Sequence, residues 1–147
     1  MARQAYTRLM SSSDSNSESV ARAFAAAISA RDVAALARLM SDDHCFIDSL
    51  GNTVKGRSKM EEGWRSYFTM VPDYTITVAE AFASGAVVVM VGTAQGTFTA
   101  DGKLKPENKW QTPAAWRAMV AGNHVTEWRV YADNDPIRKL MKTNLGA

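Results

Sequence analysis

Apolar positions change their spacing twice along this chain. Val20, Phe24 and Ile28 recur every fourth residue in "SNSESVARAFAAAISA", an interval that puts them on one helical face. Ser15 and Glu18 precede the stripe at capping-box spacing. That places the helix start there and leaves residues 1–17 as a flexible, Ser-rich tail ahead of one domain over 18–147. Asp32 stands before a second stripe of Val33, Leu36 and Leu39 or Met40, so the link "SARD" predicts a helical hairpin. "HCFIDSLG" then alternates as a short strand, with His44, Phe46 and Asp48 on one side and Cys45, Ile47 and Ser49 on the other. Gly51, Asn52 and Gly56 mark turns. Ser58 and Glu61 repeat the capping-box spacing before Met60, Trp64, Tyr67 or Phe68, and Val71, and Pro72 closes this third helix.

From Tyr74 the period becomes two. Tyr74, Ile76 and Val78 alternate with Thr75, Thr77 and Ala79. After a turn at 83–85, "AVVVMVGTAQGTFT" (86–99) is apolar on both faces at its start, so each face needs cover. A loop over 100–108 leads to two more strands, "KWQTPAAWRAMVA" and "HVTEWRVYAD". Asp135 and Pro136 open a short terminal helix. Helices precede a run of long antiparallel strands, which predicts an α+β fold.

Composition narrows the function classes. The 147 residues are 46% hydrophobic and 22% charged, which suits one globular domain. The 17 basic and 15 acidic residues are scattered, so no nucleic-acid partner is expected. No run of about 20 apolar residues exists, so no membrane partner is expected either. Cys45 is the single cysteine and has no internal disulfide partner, a usage that fits a reducing, cytoplasmic setting. Two histidines and one cysteine show no zinc-ligand spacing, so neither a metal nor another cofactor is expected.

The order of elements, with "DVAALARLMSDDHCFIDSLG", "GRSKMEEGWRSYF" and "EWRVYAD", resembles the nuclear transport factor 2-like superfamily. Within it the chain is most similar to SnoaL-like polyketide cyclases, ketosteroid isomerases and limonene epoxide hydrolases. The resemblance spans about residues 18–142. It implies a cone: a curved antiparallel sheet packed on three helices, with one mouth opening to an apolar pocket. "DDHCFID" puts Asp48 at the isomerases' general base. Phe24 stands where those enzymes carry a Tyr oxyanion donor, and Trp116 falls near their second donor. Losing one such donor costs about 2.7–4 kcal/mol of transition-state stabilisation, so ketosteroid isomerisation is disfavoured. The epoxide hydrolases' last-strand Asp is Val130 here, and their middle-strand Arg and Asp read as Gly92 to Ala94, so that hydrolysis is disfavoured too. Their pocket Asn corresponds to Asp48 and their pocket Tyr to Phe46. For the pocket histidines of scytalone-dehydratase-like enzymes the chain offers only His44 and His124.

The candidate site follows from the strand phasing and this resemblance. Asp48 is either the candidate base, its pKa raised by desolvation in an apolar pocket, or a turn-starting or capping residue near Gly51. His44, two residues away on the same strand face, is its candidate partner or a strand-edge residue with an ordinary hydrogen bond. Trp64, Tyr67, Tyr74, Trp110, Trp116 and Trp128 all phase inward. Gly92, Ala94, Gly96, Ala114, Ala118 and Ala132 lie opposite, and large rings beside small residues predict a cavity. With Phe24 and Phe46 these rings are the candidate substrate contacts, and Tyr67 and Tyr74 are candidate donors. Arg129, Tyr131, Val87, Val89 and Val91 phase outward, which predicts a homodimer through the outer sheet face. The expected function is cofactor-free isomerisation, cyclisation or dehydration of a small hydrophobic carbonyl compound. The alternative is a non-catalytic small-molecule-binding or scaffold protein.

Overall fold

Helix α1 (Ser12–Ala30) starts earlier than its apolar stripe requires. The operative capping box is Ser11 with Asp14, not Ser15 with Glu18. Ser11 Oγ accepts from the Asp14 N–H, and Asp14 Oδ2 accepts from the Ser11 N–H, both at 3.1 Å. Glu18 instead pairs with Arg22 one turn on. The start is also tied to two hairpin turns: Asp14 Oδ1 accepts from the Gly85 N–H and Asn16 Nδ2 donates to the Gly122 carbonyl. The computed structural model describes residues 11–144, so residues 1–10 of the expected tail lie outside the described residues.

Arg31 ends α1 in the left-handed region, with φ 53°. Its guanidinium donates to the Ser29 and Tyr74 carbonyls, which anchors that conformation. Asp32 then caps α2 (Val33–Leu39) by accepting from the Ala35 N–H at 3.0 Å, as its position predicts. Helix α3 (Arg57–Met70) differs: Gly56 is its N-cap and no side chain caps it, so Ser58 and Glu61 form no capping box. Val71 and Pro72 follow its last turn.

The strands are β1 (Met40–Ile47), β2 (Thr53–Lys55), β3 (Thr75–Ser84), β4 (Val87–Thr97), β5 (Lys109–Ala121) and β6 (His124–Ala132). They form one curled, open sheet in the order β2-β1-β6-β5-β4-β3. All pairings are antiparallel except β1 with β6, which is parallel and aligns Phe46 with Trp128. The sheet is therefore mixed, where the run of strands predicted antiparallel pairing throughout. The helical hairpin comes before β1, and the last strand returns beside the first. A short terminal helix, α4 (Asp135–Asn144), closes the chain.

The core lies between the concave sheet face and α1–α3. Phe24, Ile28, Leu36, Trp116 and Trp128 are almost wholly buried there. Each such side chain contributes about 1.5–3 kcal/mol by leaving water. Two glycines have a packing role that periodicity hides. A Cβ at Gly92 would collide with the Thr77 carbonyl, and one at Gly96 with the Val71 side chain. They let β4 approach β3 and the end of α3 closely and do not open a cavity. A register shift between Val78 and Glu80 turns the second half of β3 over, so Phe82 opposes Val89 on the outer face and is 50% exposed.

Candidate functional site

A cavity of about 320 Å³ opens between α3, the end of α1 and strands β1, β5 and β6. Its wall is mainly aromatic: Phe46, Trp64, Tyr67, Tyr74, Trp116 and Trp128 all contribute. Helix α3 supplies Trp64 and Tyr67 from one face. Strands β5 and β6 supply Trp116 and Trp128 from inward positions. The parallel β1–β6 pairing sets Phe46 beside Trp128. Tyr67 and Tyr74 meet edge to face at 4.9 Å, and Phe46 meets Trp64 edge to face at 5.9 Å.

The phenols have no hydrogen-bond partner among the described residues, although both line the cavity. Burial pushes the Tyr74 hydroxyl far above its ordinary range. Burial, and then the neighbouring Tyr74, does the same to Tyr67. Both are therefore neutral donors at any physiological pH. The indole N–H of Trp64, another wall residue, is buried and also unpartnered among the described residues.

Asp48 reaches the cavity mouth, but not as a desolvated acid. Its Oδ1 accepts from the Leu50 and Asn52 N–H groups, both at 2.9 Å, and its Oδ2 accepts from Asn52 Nδ2 at 3.1 Å. Partial burial is the largest single influence on its pKa and acts upward. The hydrogen bonds from Asn52 and Leu50, with the charge of Arg138, outweigh it, and the net shift is downward. The predicted upward shift is thus reversed. The reason is local: Gly51 and Asn52 fold the chain back, so main-chain N–H groups converge on the carboxylate.

His44 is not at the mouth. It is completely buried and stacks on Phe24 at 5.8 Å, and its Nδ1 lies 2.7 Å from the Val125 carbonyl oxygen. Burial is the main influence on its pKa and lowers it, against the Val125 carbonyl and the charges of Asp43 and Glu127. It is a neutral core histidine with no hydrogen bond to Asp48. Phe24 also lies in the core, where it packs against Trp128 at 4.7 Å, and Trp110 packs behind Tyr74 at 5.9 Å. Neither lines the cavity.

Other wall residues were not foreseen. Met60 and Gly63 share the cavity face of α3, and Met60 is four positions before Trp64, a spacing that was available. Ser49 and Asn134 lie in connections between elements, where no period operates. They meet at the mouth through a hydrogen bond from Asn134 Nδ2 to Ser49 Oγ of 2.8 Å. None of the six small residues set against the rings lines the cavity. Among the described residues no cluster of three or more His, Cys, Asp or Glu side chains could hold a metal ion. No described helix is long and apolar enough to cross a membrane.

Known structures share this architecture. A protein from Shewanella denitrificans, described as a SnoaL-like polyketide cyclase, is 16% identical, covering 86% of this chain and 97% of its own, with a TM-score of 0.73. An LEH-like epoxide hydrolase of M. tuberculosis is 17% identical over 90% of this chain and 93% of its own, also with a TM-score of 0.73. A Catenulispora acidiphila protein with a ketosteroid isomerase-like fold, in complex with trimethylamine, is 22% identical. It covers 76% of this chain and 83% of its own, with a TM-score of 0.67. At these identities the likeness is one of fold. No curated protein matches the sequence. The family model of the SnoaL-like domain matches residues 21–137, from α1 through the sheet to α4, and the chain therefore belongs to the SnoaL-like family.

Proposed function

We propose that this protein binds a small apolar or aromatic carbonyl compound in its cavity and does not use Asp48 to transfer a proton. The observation that carries this reading is a pair of neutral phenols, the half-buried Tyr67 and the buried Tyr74, with no hydrogen-bond partner among the described residues, on a largely apolar, ring-lined wall. A hydrogen bond to such a donor contributes about 0.5–1.5 kcal/mol net. A carbonyl oxygen between two phenols gains that contribution, while the rings cover the ligand's apolar body. The cavity volume falls at the lower end of small-molecule sites. The trimethylamine complex of the Catenulispora protein supports a role for this fold in receiving small organic molecules.

The test compares 2-acetylnaphthalene with 2-ethylnaphthalene, which has nearly the same shape and no acceptor. Binding is followed by the fluorescence of the wall tryptophans. Replacing both Tyr67 and Tyr74 by Phe should weaken the ketone about ten-fold, or about 1.4 kcal/mol, and the hydrocarbon far less. Equal losses for both probes, or no binding by the unaltered chain, would overturn the reading.

A second reading keeps one observation in its favour: Asp48 borders the same cavity as the two phenols. In it, Asp48 takes a proton alpha to the bound carbonyl and a phenol replaces the donor missing at Phe24, giving a cofactor-free isomerase, cyclase or dehydratase. The lowered pKa makes Asp48 a weak base for that step. Turnover of a bound ketone that disappears in Asp48→Asn would favour this second reading.

The proposal includes a homodimer through the convex sheet face. Val87, Val89 and Val91 lie there beside Phe82 and Tyr131, which are about half exposed. Arg129 covers the Tyr131 ring at 5.0 Å, and Arg117 pairs with Glu127 at 2.7 Å. A charge placed at Val89 should yield monomers in sedimentation velocity. An unchanged sedimentation coefficient would place any dimer contact elsewhere.

A further inference from the structure

The cavity wall is electrostatically one-sided. The chain carries 17 basic and 15 acidic residues, yet among the described residues Asp48 is the single charged side chain on that wall. Its polar neighbours Ser49 and Asn134 are neutral, as are the phenols. The Asp48 carboxylate is also fixed in place. Of its roughly four acceptor positions, Oδ1 uses two on main-chain N–H groups and Oδ2 uses one on Asn52. Oδ2 thus keeps acceptor capacity. The same wall carries six aromatic rings, and an aromatic face bears negative charge of its own. Arg138 is the basic residue whose charge reaches Asp48, and it is exposed, makes no ion pair with it within 4.0 Å, and lies off the cavity wall.

A fixed anion and any ring face that meets the ligand act in the same direction: both favour positive charge and both disfavour a carboxylate. We propose that the cavity selects a hydrophobic organic ammonium ion, a protonated or alkylated amine whose apolar body lies among the rings and whose charged nitrogen faces Asp48 Oδ2. This rests on the cavity being the binding site, and it adds the charge of the ligand, which that reading leaves open. It also gives Asp48 a role that its lowered proton affinity suits, as a permanent counter-charge.

The full chain is titrated with phenyltrimethylammonium and, separately, with its uncharged isostere tert-butylbenzene, again by tryptophan fluorescence. The cation should bind about ten-fold more tightly, within the range that cation–π and ion pairing give in a partly desolvated site. Asp48→Asn keeps an oxygen for the Leu50 and Asn52 N–H groups while removing the charge. In that variant the ratio of the two affinities should fall to about three-fold or less. Urea unfolding of the variant checks that the turn has survived, and Asp48→Glu, which restores the charge, should recover part of the preference. Equal or weaker binding of the cation, or a ratio that Asp48→Asn leaves unchanged, overturns the proposal. If tert-butylbenzene binds and the cation gains nothing, only the ammonium assignment falls. If neither probe binds while 2-acetylnaphthalene does, the ammonium proposal falls and the carbonyl reading stands; if none of the three binds, both fall.

Discussion

Replacing Asp48 by Ala removes three hydrogen bonds at once, at 2.9, 2.9 and 3.1 Å. A bond to a charged acceptor is worth about 1.5–3 kcal/mol in a protected site. Here water can replace much of each bond, because the carboxylate sits at the cavity mouth. A net loss of about 1–2 kcal/mol for the whole turn follows, which corresponds to a fall in Tm of about 2–8 °C for a chain of this size. Asp48→Asn retains a side-chain oxygen for the two main-chain donors and should lose less than half as much. The pH dependence has a definite sign. The folded-state pKa is lowered, so the stabilisation is complete above the unfolded value near 4 and is lost as pH falls through the folded value. The gap between the unaltered chain and Asp48→Ala should therefore shrink in acid. Urea unfolding at neutral and acidic pH measures it. An Ala variant as stable as the unaltered chain at pH 7 would refute the turn-organising role, and a more stable one would mark Asp48 as held at a cost in stability, as a catalytic base would be.

His44 gives the chain a second pH dependence at higher pH. Its folded-state pKa lies below the ordinary value, so stability should be full above about pH 6.5 and decline as pH falls below it, by at most about 1.4 kcal/mol per pH unit. In His44→Phe the slope of stability between pH 6.5 and 5 should flatten, and an unaltered slope would assign it to another group. Gly92→Ala places a methyl against the Thr77 carbonyl, backbone that cannot swing aside, so the variant should lose cooperative thermal unfolding or most of its soluble yield. A Tm within 2 °C or so of the unaltered chain would show that β3 shifts freely. Val130→Phe projects a ring from the cavity wall in place of a small aliphatic side chain and should weaken both naphthalene probes while leaving the fold intact. Undiminished binding would place the probes elsewhere.

The helices and most strands were legible because burial imposes a period. Phe24 and Ile28 fell on the buried face of α1, and Trp116 and Trp128 pointed inward as their strand parity required. The capping signals misled for a local reason: Ser11–Asp14 and Ser15–Glu18 have the same spacing, and contacts with distant turns selected the earlier pair. The parallel β1–β6 pairing was not legible, since nothing within eight residues of strand names its neighbour. Gly92 and Gly96 looked like spaces left for a ligand, whereas both mark places where backbone or side chain comes too close for a Cβ. For Asp48, strand parity gave its side of the sheet but not its environment. Alternation cannot distinguish a carboxylate sunk among rings from one at the rim that collects N–H groups from its own turn.

The central claim is that Asp48 is a permanent, hydrogen-bonded anion at the mouth of an aromatic cavity and not a desolvated base within it. A pH titration of the Asp48 side-chain carboxyl carbon by NMR, on the full chain, tests this most directly. The midpoint should lie below the ordinary aspartate value, because the Leu50 and Asn52 donors stabilise the charged form. A midpoint above that value would contradict the account and return Asp48 to the role of general base.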